Sequence, residues 1–290
     1  MHKPATVAHA LARATASLQR ASESPRLDAQ ILLAWTLQRD KEWLIAHGEC
    51  DLTDSQAEIF AKLCEKRATG MPVAYITGRV GFYGREFVVS DAVLIPRPET
   101  EHLTEDAIAH LRSRATGSDV LDVGTGSGAI ACTIAAEFPG AIVDGTDTSE
   151  AALEVARGNA RLLGVRERCT FYRADIVDER NGKMFDVVVA NLPYVPTNQI
   201  PRRPDSVGFE PLVALDGGPD GLGPYRKLLA LAPRLLRPGA LLLMEAAPPT
   251  IEALAILARS ACAGALVEVR PDYAGLERYV SVRDGGGRSG

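Results

Sequence analysis

Three glycines at alternating positions, Gly124, Gly126 and Gly128, separate a mostly apolar run over residues 120–123 from a longer one over residues 129–135. Glycine has no Cβ atom, so it lets a backbone turn tightly and approach a ligand closely. The shorter run is typical of a buried strand and the longer one of a buried helix. The stretch therefore predicts a strand, a ligand-binding loop and a helix, which is the repeating unit of a parallel α/β sheet.

An acidic residue follows the glycine loop at an informative spacing. The apolar stretch over residues 141–147 ends at Asp147, 19 residues beyond Gly128, and a carboxylate near this spacing binds ribose hydroxyls in dinucleotide-binding proteins. The dinucleotide pattern G-x-G-x-x-G would, however, place the third glycine one residue later. Asp122, just before the loop, is predicted to hold the loop amides or to meet a cationic ligand. The order D-x-G-x-G-x-G followed by an acid resembles Rossmann-like S-adenosylmethionine enzymes.

Strands and helices alternate from Ser118 onward, which predicts an α/β fold with a mostly parallel sheet. The last two strands are joined by a short segment rich in Pro, Asp and Gly, so we expect them to form an antiparallel hairpin. The predicted strands end near Val123, Asp147, Asp175, Ala190, Glu245, Val269 and Val282.

The chain divides into segments of different pattern. Residues 1–77 show helical periodicity and predict a small helical domain, with Thr53 or Asp54 as an N-cap. Residues 78–98 are punctuated by glycine and rich in β-forming residues, which predicts a β-hairpin linker. The main domain is expected over residues 99–284, followed by a flexible tail at residues 285–290.

Two apolar stripes in the helical segment are predicted to lie in its core, since their members recur at helical spacing. These stripes contain Leu27, Ile31, Leu32 and Trp35 in one helix and Ile59, Leu63 and the aliphatic stem of Lys66 in another.

The tetrapeptide Asn191-Leu192-Pro193-Tyr194 follows a Val-rich run over residues 185–190, which predicts a buried strand that ends at the proline. An Asn side-chain carbonyl and the next backbone carbonyl can accept both hydrogens of a planar –NH2 group, while a Tyr ring covers its plane. We interpret these four residues as catalytic: they present an amide or arylamine nitrogen to an electrophile.

Together, the glycine loop and the tetrapeptide resemble the HemK/PrmC family of protein-(glutamine-N5) methyltransferases. The resemblance extends over nearly the whole chain, because further segments are similar to landmarks of that family in the same order. These segments are residues 21–33, Pro72–Gly78, Leu94–Glu101, Phe209–Pro211 with Ala214-Leu215, and Asp272-Tyr273 with Glu277-Arg278.

The resemblance implies both a fold and a reaction. The implied fold is a Rossmann-like, seven-stranded class I S-adenosylmethionine-dependent methyltransferase domain, preceded by a helical substrate-recognition domain. The implied reaction transfers a methyl group from S-adenosyl-L-methionine to the side-chain amide nitrogen of the glutamine in the Gly-Gly-Gln motif. The implied partners are class 1 peptide chain release factors.

The predicted site residues fall into two sets. For the cofactor, Asp147 is assigned to the ribose and Asp175 either to the adenine amino group or to a helix N-cap. The full cofactor set is Asp122, Gly124, Thr125, Gly126, Ser127, Gly128, Asp147, Thr148, Asp175, Ile176 and Asn191.

The substrate set rests on the resemblance and on the tetrapeptide. Arg97 and Glu99 are implied to contact cofactor or substrate, with a surface ion pair as the alternative. Three residues of the later segment are expected to form a flap at the substrate entrance, or only to pack that long loop. The full substrate set is Arg97, Glu99, Asn191, Tyr194, Phe209, Glu210 and Pro211.

The chain departs from the family pattern at two places. The family carries Asn-Pro-Pro-Tyr, whereas Leu192 stands at the first proline position here. Leucine keeps the backbone carbonyl acceptor but lacks the fixed φ of proline, which puts rate and substrate choice in question. The family also tends to place a glycine and later a glutamine after the acid at Glu245, where this chain has Ala246-Ala247.

Composition narrows the class of protein. The formal net charge of −5 disfavours direct binding of duplex nucleic acid, which prefers basic faces. The five cysteines are scattered without a C-x-x-C pair, which fits a reducing cytoplasm and indicates no zinc site. No metal is predicted, no membrane segment is expected because no apolar run is long enough to span a bilayer, and a cytoplasmic location is expected.

Two alternatives to glutamine methylation remain at this stage. Adenine N6-methylation of nucleic acid is one, because an exocyclic arylamine presents the same planar –NH2 group to the same acceptors. A weakly active, cofactor-binding homologue is the other, since Leu192 alters the tetrapeptide.

Overall fold

The computed structural model describes residues 5–114, 117–177 and 182–283, so the tail predicted at residues 285–290 lies outside the described residues. The contacts divide the chain into two compact units. The first comprises Met1–Arg79 and Pro201–Phe209, and the second comprises Val80–Ile200 and Glu210–Gly290. The predicted boundaries at residues 77 and 98 assign one continuous stretch of chain to each domain. The contacts instead group the later segment Pro201–Phe209 with the helical unit.

Helices make up most of the first unit, and local capping signals account for their ends. They are α1 (Val7–Leu18), α2 (Pro25–Leu37), α3 (Lys41–Ala46), α4 (Asp54–Ala68) and α5 (Val73–Thr77). Thr53 caps α4: its hydroxyl accepts from the Gln56 amide, and the Gln56 side chain accepts from the Thr53 amide. This reciprocal capping box satisfies two amides that a helix start leaves unpaired.

The two predicted core stripes of this unit are partly wrong. Leu27, Trp35 and Ile59 are 43%, 39% and 42% exposed, and Lys66 is also exposed. The buried faces are displaced from the predicted stripes and include a polar pair, in which Arg67 Nε donates to Asp28 Oδ2 at 2.6 Å. Hydropathy alone does not reveal a buried ion pair. Leu32 and Leu63 are buried as predicted, and Ile31 is half-buried. The helices also bury residues outside the predicted stripes, which are Ala29, Leu33, Phe60, Cys64 and Arg67.

The late segment of the first unit approaches the end of α4 closely. Gly70 has a φ of +93°, and a Cβ at this position would lie 1.9 Å from the Pro204 carbonyl oxygen. The Arg203 guanidinium lies 4.3 Å from the centre of the Phe209 ring. Only glycine is compatible with this approach of two backbones.

The observed hairpin is shorter than the β-hairpin linker predicted over residues 78–98. Strands β1 (Arg79–Phe82) and β2 (Arg85–Val88) pair as a two-stranded sheet, and residues 89–98 are irregular.

The second unit contains a sheet of seven strands in the part of the chain that the structure describes, which confirms the predicted α/β fold class. The strands are β3 (Ser118–Val123), β4 (Ala141–Asp147), β5 (Cys169–Arg173), β6 (Phe185–Ala190), β7 (Leu236–Glu245), β8 (Leu266–Pro271) and β9 (Glu277–Arg283). Their order across the sheet is β5-β4-β3-β6-β7-β9-β8. Strands β3 to β7 run parallel, and β9 pairs antiparallel with both β7 and β8, as predicted for the last two strands.

Four of the predicted strand ends match the observed residues, and three differ by one or two positions. β5 ends at Arg173 and not at Asp175, β8 at Pro271 and not at Val269, and β9 at Arg283 and not at Val282. These differences are typical of strand ends read from hydropathy.

Helices cover both faces of this sheet. One face carries α6 (Thr100–Arg112), α7 (Ala129–Glu137) and α8 (Glu150–Leu162), and the other carries α9 (Gly223–Leu235) and α10 (Pro248–Ala261). Every residue of the central strand β6 is buried, as expected for a parallel strand covered on both sides. The chain leaves β3 toward β4 and β5, then returns to β6 on the opposite side of β3. This reversal creates a crevice at the carboxyl ends of the strands, where open α/β sheets bind ligands.

Candidate active site

A cavity of about 260 Å³ lies at this reversal, within the second unit. Its wall includes most of the predicted cofactor residues and three of the four tetrapeptide residues. Those lining it are Gly124, Thr125, Gly126, Ser127, Asp147, Thr148, Asp175, Ile176, Asn191, Leu192 and Pro193. Apolar side chains such as Phe82 and Val93 complete the wall. A concave site with apolar walls and a few convergent polar groups is the usual form of a small-molecule site.

The glycine loop adopts a backbone that other residues rarely tolerate. Gly124 and Gly128 have φ values of +72° and +77°. A Cβ on Gly124 would lie 2.8 Å from Leu192 Cδ2, and a Cβ on Gly128 would lie 3.0 Å from the Ala156 Cβ. These glycines therefore allow the loop to pack between the tetrapeptide and α8.

The Asp147 carboxylate holds the loop while lining the cavity. Its Oδ2 accepts from the Gly126 amide at 3.0 Å, and its Oδ1 accepts from the Ser149 amide at 2.9 Å. Burial raises the pKa of Asp147, while the amide hydrogen bonds lower it. Each oxygen still has a lone pair for a hydroxyl donor, since a carboxylate accepts about four hydrogen bonds.

Asp122 lies behind the loop and does not line the cavity. Its Oδ2 accepts from the Thr125 hydroxyl at 2.7 Å and from the Ala131 amide at 3.1 Å. The side chain is fully buried, which raises its pKa to about 7, and its Oδ1 has no partner among the described residues. Of the two predicted roles, this geometry fits the holding of the loop.

Asp175 and Ile176 follow β5 at the cavity wall. Asp175 Oδ2 lies 2.6 Å from Lys227 Nζ in an exposed ion pair, and residues 176 and 177 are not helical, so no helix starts directly after it. Ile176 has a φ of +79°, a strained conformation for a β-branched residue. Its carbonyl accepts from the Thr146 hydroxyl at 2.5 Å. Strain of this kind is concentrated at functional sites.

The amide of Asn191 is oriented by a buried threonine. Asn191 Nδ2 donates to Thr100 Oγ1 at 3.1 Å, at the start of α6. With the nitrogen directed at Thr100, the Oδ1 atom is left available to the cavity that Asn191 lines. This is the orientation that an acceptor for a substrate N–H requires.

Glu245 closes this network at the end of β7. Burial raises its pKa to about 7, against the lowering effect of hydrogen bonds from Thr100 and Asn191, and its Oε2 has no partner among the described residues. An ionised carboxylate only accepts hydrogen bonds. When Glu245 is ionised, the Thr100 hydroxyl donates to it, which turns the hydroxyl lone pairs toward Asn191 and favours the –NH2 end of that amide.

Tyr194 does not line the cavity, but it is held next to it. Burial is the main cause that raises the pKa of its phenol, followed by the charge of Glu245. The turn at Gly221 fixes the backbone, because Gly221 has a φ of +76° and a Cβ there would lie 2.3 Å from the Tyr194 carbonyl oxygen. Nearby, the Val195 amide donates to the Leu215 carbonyl at 3.0 Å.

The predicted substrate residues outside the tetrapeptide are not part of the cavity wall. Arg97 pairs with Glu210, whose side chain is 1% exposed and also accepts from the Ile95 amide at 3.2 Å. This pair is more buried than the surface ion pair considered as the alternative, and it ties residue 210 to the segment before α6. Glu99 lies near enough to raise the pKa of both Tyr194 and Glu245.

The remaining two members of the substrate set lie on either side of the unit boundary. Phe209 belongs to the first unit, and Pro211 begins the next short turn in the second. Their roles as flap residues stay predictions.

Comparison with known proteins identifies the family. Residues 9–78 match the model of the PrmC N-terminal domain, and residues 102–202 match that of the methyltransferase small domain. Over 256 residues the chain is 43% identical to a release factor glutamine methyltransferase of Moorella thermoacetica, covering 88% of this chain and 90% of that protein.

The chain belongs to the release factor glutamine methyltransferase family.

A second curated relative supports the same assignment. A release factor glutamine methyltransferase of Bradyrhizobium diazoefficiens is 40% identical over 267 residues, which cover 90% of this chain and 89% of that one. A solved structure of a release-factor-specific protein-(glutamine-N5) methyltransferase from Alicyclobacillus acidocaldarius is 31% identical, with a TM-score of 0.42, covering 68% of this chain and 98% of that one.

Residues 5–114, 117–177 and 182–283 contain no group of three or more His, Cys, Asp or Glu side chains arranged to hold a metal ion. None of the helices in these ranges is long and apolar enough to cross a membrane.

The predicted site sets do not include Thr100, and they do not include Glu245, which was named only as a strand end and as the acid before Ala246-Ala247. Thr100 lies in the segment Leu94–Glu101 that resembles the family, but nothing in that segment indicates a contact with Asn191, which comes 91 residues later. Glu245 was detectable, because a buried acid at the carboxyl end of a strand next to β6 lies at the ligand-binding edge of such a sheet.

The stability of the Glu245→Gln variant should increase relative to that of the wild-type protein as the pH rises. The pKa of Glu245 is raised by burial from its ordinary 4.5 to about 7. Between these values the folded chain holds a proton that the unfolded chain has released, so wild-type stability falls as the pH rises. The difference in unfolding free energy should move toward the variant by on the order of 3 kcal/mol across this window.

Urea unfolding of both proteins at pH 5 and pH 8 measures this change. Asp122, whose pKa is also about 7, titrates in both proteins and cancels in the difference. A difference that is the same at both pH values would contradict the prediction.

Proposed function

We propose that this protein transfers a methyl group from S-adenosyl-L-methionine to the side-chain amide nitrogen of the glutamine in the Gly-Gly-Gln motif of class 1 release factors. The observation that carries the proposal is the oriented amide of Asn191, whose nitrogen donates to Thr100 at 3.1 Å beside the glycine-loop cavity. The names of its relatives, which cover about nine-tenths of the chain, support the same substrate class.

The residues of the cavity fit S-adenosyl-L-methionine. Asp147 offers free lone pairs for ribose hydroxyls, Ile176 and other apolar residues offer a surface for the adenine, and Asp175 offers an acceptor for its amino group. The glycine loop, which carries no side chain at Gly124 and Gly126, lets the ligand approach the backbone. When bound, this cofactor supplies an activated methyl group on a sulfonium, so no metal or strong base is needed.

The tetrapeptide supplies the acceptors for the substrate. An amide nitrogen is a poor nucleophile because its lone pair is delocalised into the carbonyl. Asn191 Oδ1 and the Leu192 carbonyl accept its two hydrogens, which directs the lone pair away from them and stabilises the positive charge that develops on nitrogen. Tyr194 packs against the amide plane.

The helical first unit is the proposed recognition domain for the release factor, since it matches the family's N-terminal domain. The reaction is proposed to take place in the cytoplasm, where release factors work. The absence of a disulfide among the five cysteines fits a reducing compartment.

Intact-mass analysis of a class 1 release factor incubated with the protein and S-adenosyl-L-methionine tests the proposal. We expect one added methyl group, which fragmentation maps to the glutamine of Gly-Gly-Gln. A release factor with alanine in place of that glutamine is the matched control and should stay unmodified.

Two other results would redirect the assignment. Transfer to adenine in a single-stranded oligonucleotide, with no transfer to the release factor, would support a nucleic-acid amine as the substrate. Cofactor binding without transfer to either acceptor would support the weakly active homologue.

A further inference from the structure

Leu192 makes a hydrogen bond that a proline at its position could not make. Its backbone N–H donates to the Tyr225 hydroxyl oxygen at 3.1 Å. Leu192 is 6% exposed and Tyr225 is fully buried, so water does not replace this bond. Proline has no N–H group, and the bond therefore requires a residue other than proline at this position.

Tyr225 is itself held from two sides. It lies in the first turn of α9, and its hydroxyl donates to the backbone carbonyl of Glu245 at the end of β7. The Leu192 carbonyl is also near, with its oxygen 3.3 Å from the hydroxyl oxygen. A phenol has one proton, and the closer contact assigns it to Glu245. The Leu192 carbonyl thus keeps its lone pairs for the substrate amide.

We propose that Tyr225 is a positioning residue for methyl transfer: its hydroxyl connects the Leu192 amide to the end of β7 and replaces the stiffness that proline would give the tetrapeptide. The hydrogen bond fixes the peptide plane before Leu192, whereas a proline ring would fix the φ angle of the same residue. Either constraint aims the carbonyl that accepts the second substrate hydrogen. This inference rests on the proposed function for its kinetic test only.

A four-protein cycle tests the proposal: wild type, Tyr225→Phe, Leu192→Pro and the double variant. In the leucine background, Tyr225→Phe leaves a buried N–H without an acceptor and should lower kcat roughly tenfold, with little change in the affinity for S-adenosyl-L-methionine. In the proline background that N–H does not exist, so the same change should lower kcat by no more than about twofold.

The matched control is Tyr279→Phe. Tyr279 is 3% exposed, but its hydroxyl donates to Asp106 at 2.8 Å and not to the tetrapeptide. Its removal should change the melting temperature without changing kcat at a temperature where the variant is folded. Equal losses of kcat from Tyr225→Phe in the two backgrounds would overturn the proposal, as would no loss in the leucine background.

Hydrogen exchange of the wild-type protein tests the bond without any substrate or variant. The Leu192 amide lies outside helices and strands, yet it should exchange roughly a hundredfold or more slowly than an unprotected amide. Exchange at the unprotected rate would overturn the proposal even if Tyr225→Phe fails to fold. A wild-type protein that shows this protection but methylates no release factor would instead contradict the proposed function.

Discussion

Replacing Asn191 with Ala should lower the rate of methyl transfer by on the order of a hundred- to a thousandfold, the loss observed when a preorganised polar group at a reacting centre is removed. Asn191 provides the only side-chain acceptor of the proposed pair, and Thr100 and Glu245 hold it in place before the substrate binds. Alanine removes the acceptor and leaves water in its place. The rate is measured as single-turnover methyl transfer to a release factor.

Two controls separate this effect from damage to the cofactor site. The affinity for S-adenosyl-L-methionine, measured by calorimetry, should stay within a few-fold, because the side chains that hold the glycine loop are Asp147 and Asp122, which the variant keeps. Asn191→Gln keeps the amide but displaces it by one methylene, so it should also lose most of the activity. Alanine and glutamine variants that retain near wild-type rates would contradict the acceptor model.

Much of the cavity was predictable because it is built from local patterns. The glycine loop and the tetrapeptide each follow a strand, Asp147 is the last residue of one, and parallel strands end at one edge of their sheet. Knowing where the strands end therefore places these residues near one another without further information. The antiparallel pairing of β8 and β9 was also predictable, because their short connection leaves no room for the crossover that parallel strands need.

The residues that orient the tetrapeptide were not predictable in this way. Thr100 and Tyr225 lie on helices 91 residues before Asn191 and 33 residues after Leu192, and no sequence pattern links either residue to the tetrapeptide. Their contacts depend on how α6 and α9 pack against opposite faces of the sheet. Such packing follows from the whole fold and not from the pattern of any one segment.

The helical unit shows a different limit. Leu27 and Trp35 occupy regular helical positions but are exposed, whereas the buried face includes Asp28 and Arg67, which pair across 39 residues of sequence. A charged residue counts against burial in any hydropathy pattern, although pairing makes burial acceptable. The pattern therefore predicted a helical unit and the burial of Leu32 and Leu63, but it also assigned exposed residues to the core.

Replacing Asp147 with Ala should weaken the binding of S-adenosyl-L-methionine by roughly ten- to a hundredfold, since hydrogen bonds to a charged group are worth about 1.5–3 kcal/mol. The variant loses the proposed contact with the ribose, and the amides of Gly126 and Ser149 lose their acceptor. Calorimetric titration with the cofactor measures the affinity directly.

The same strand offers a matched control for this prediction. Asp144 lies three residues earlier in β4, does not line the cavity and pairs with Lys183 at 3.1 Å. Asp144→Ala removes an equal charge and should leave cofactor affinity within about twofold. Asp144 is outside the cavity wall, and its charge is already paired with Lys183, so it interacts weakly with a ligand in the cavity. Asp147→Asn should fall between wild type and Asp147→Ala, since an amide oxygen keeps one acceptor without the charge. If Asp147→Ala binds the cofactor as tightly as Asp144→Ala does, then Asp147 holds only the loop, and the ribose contact must be assigned elsewhere on the cavity wall.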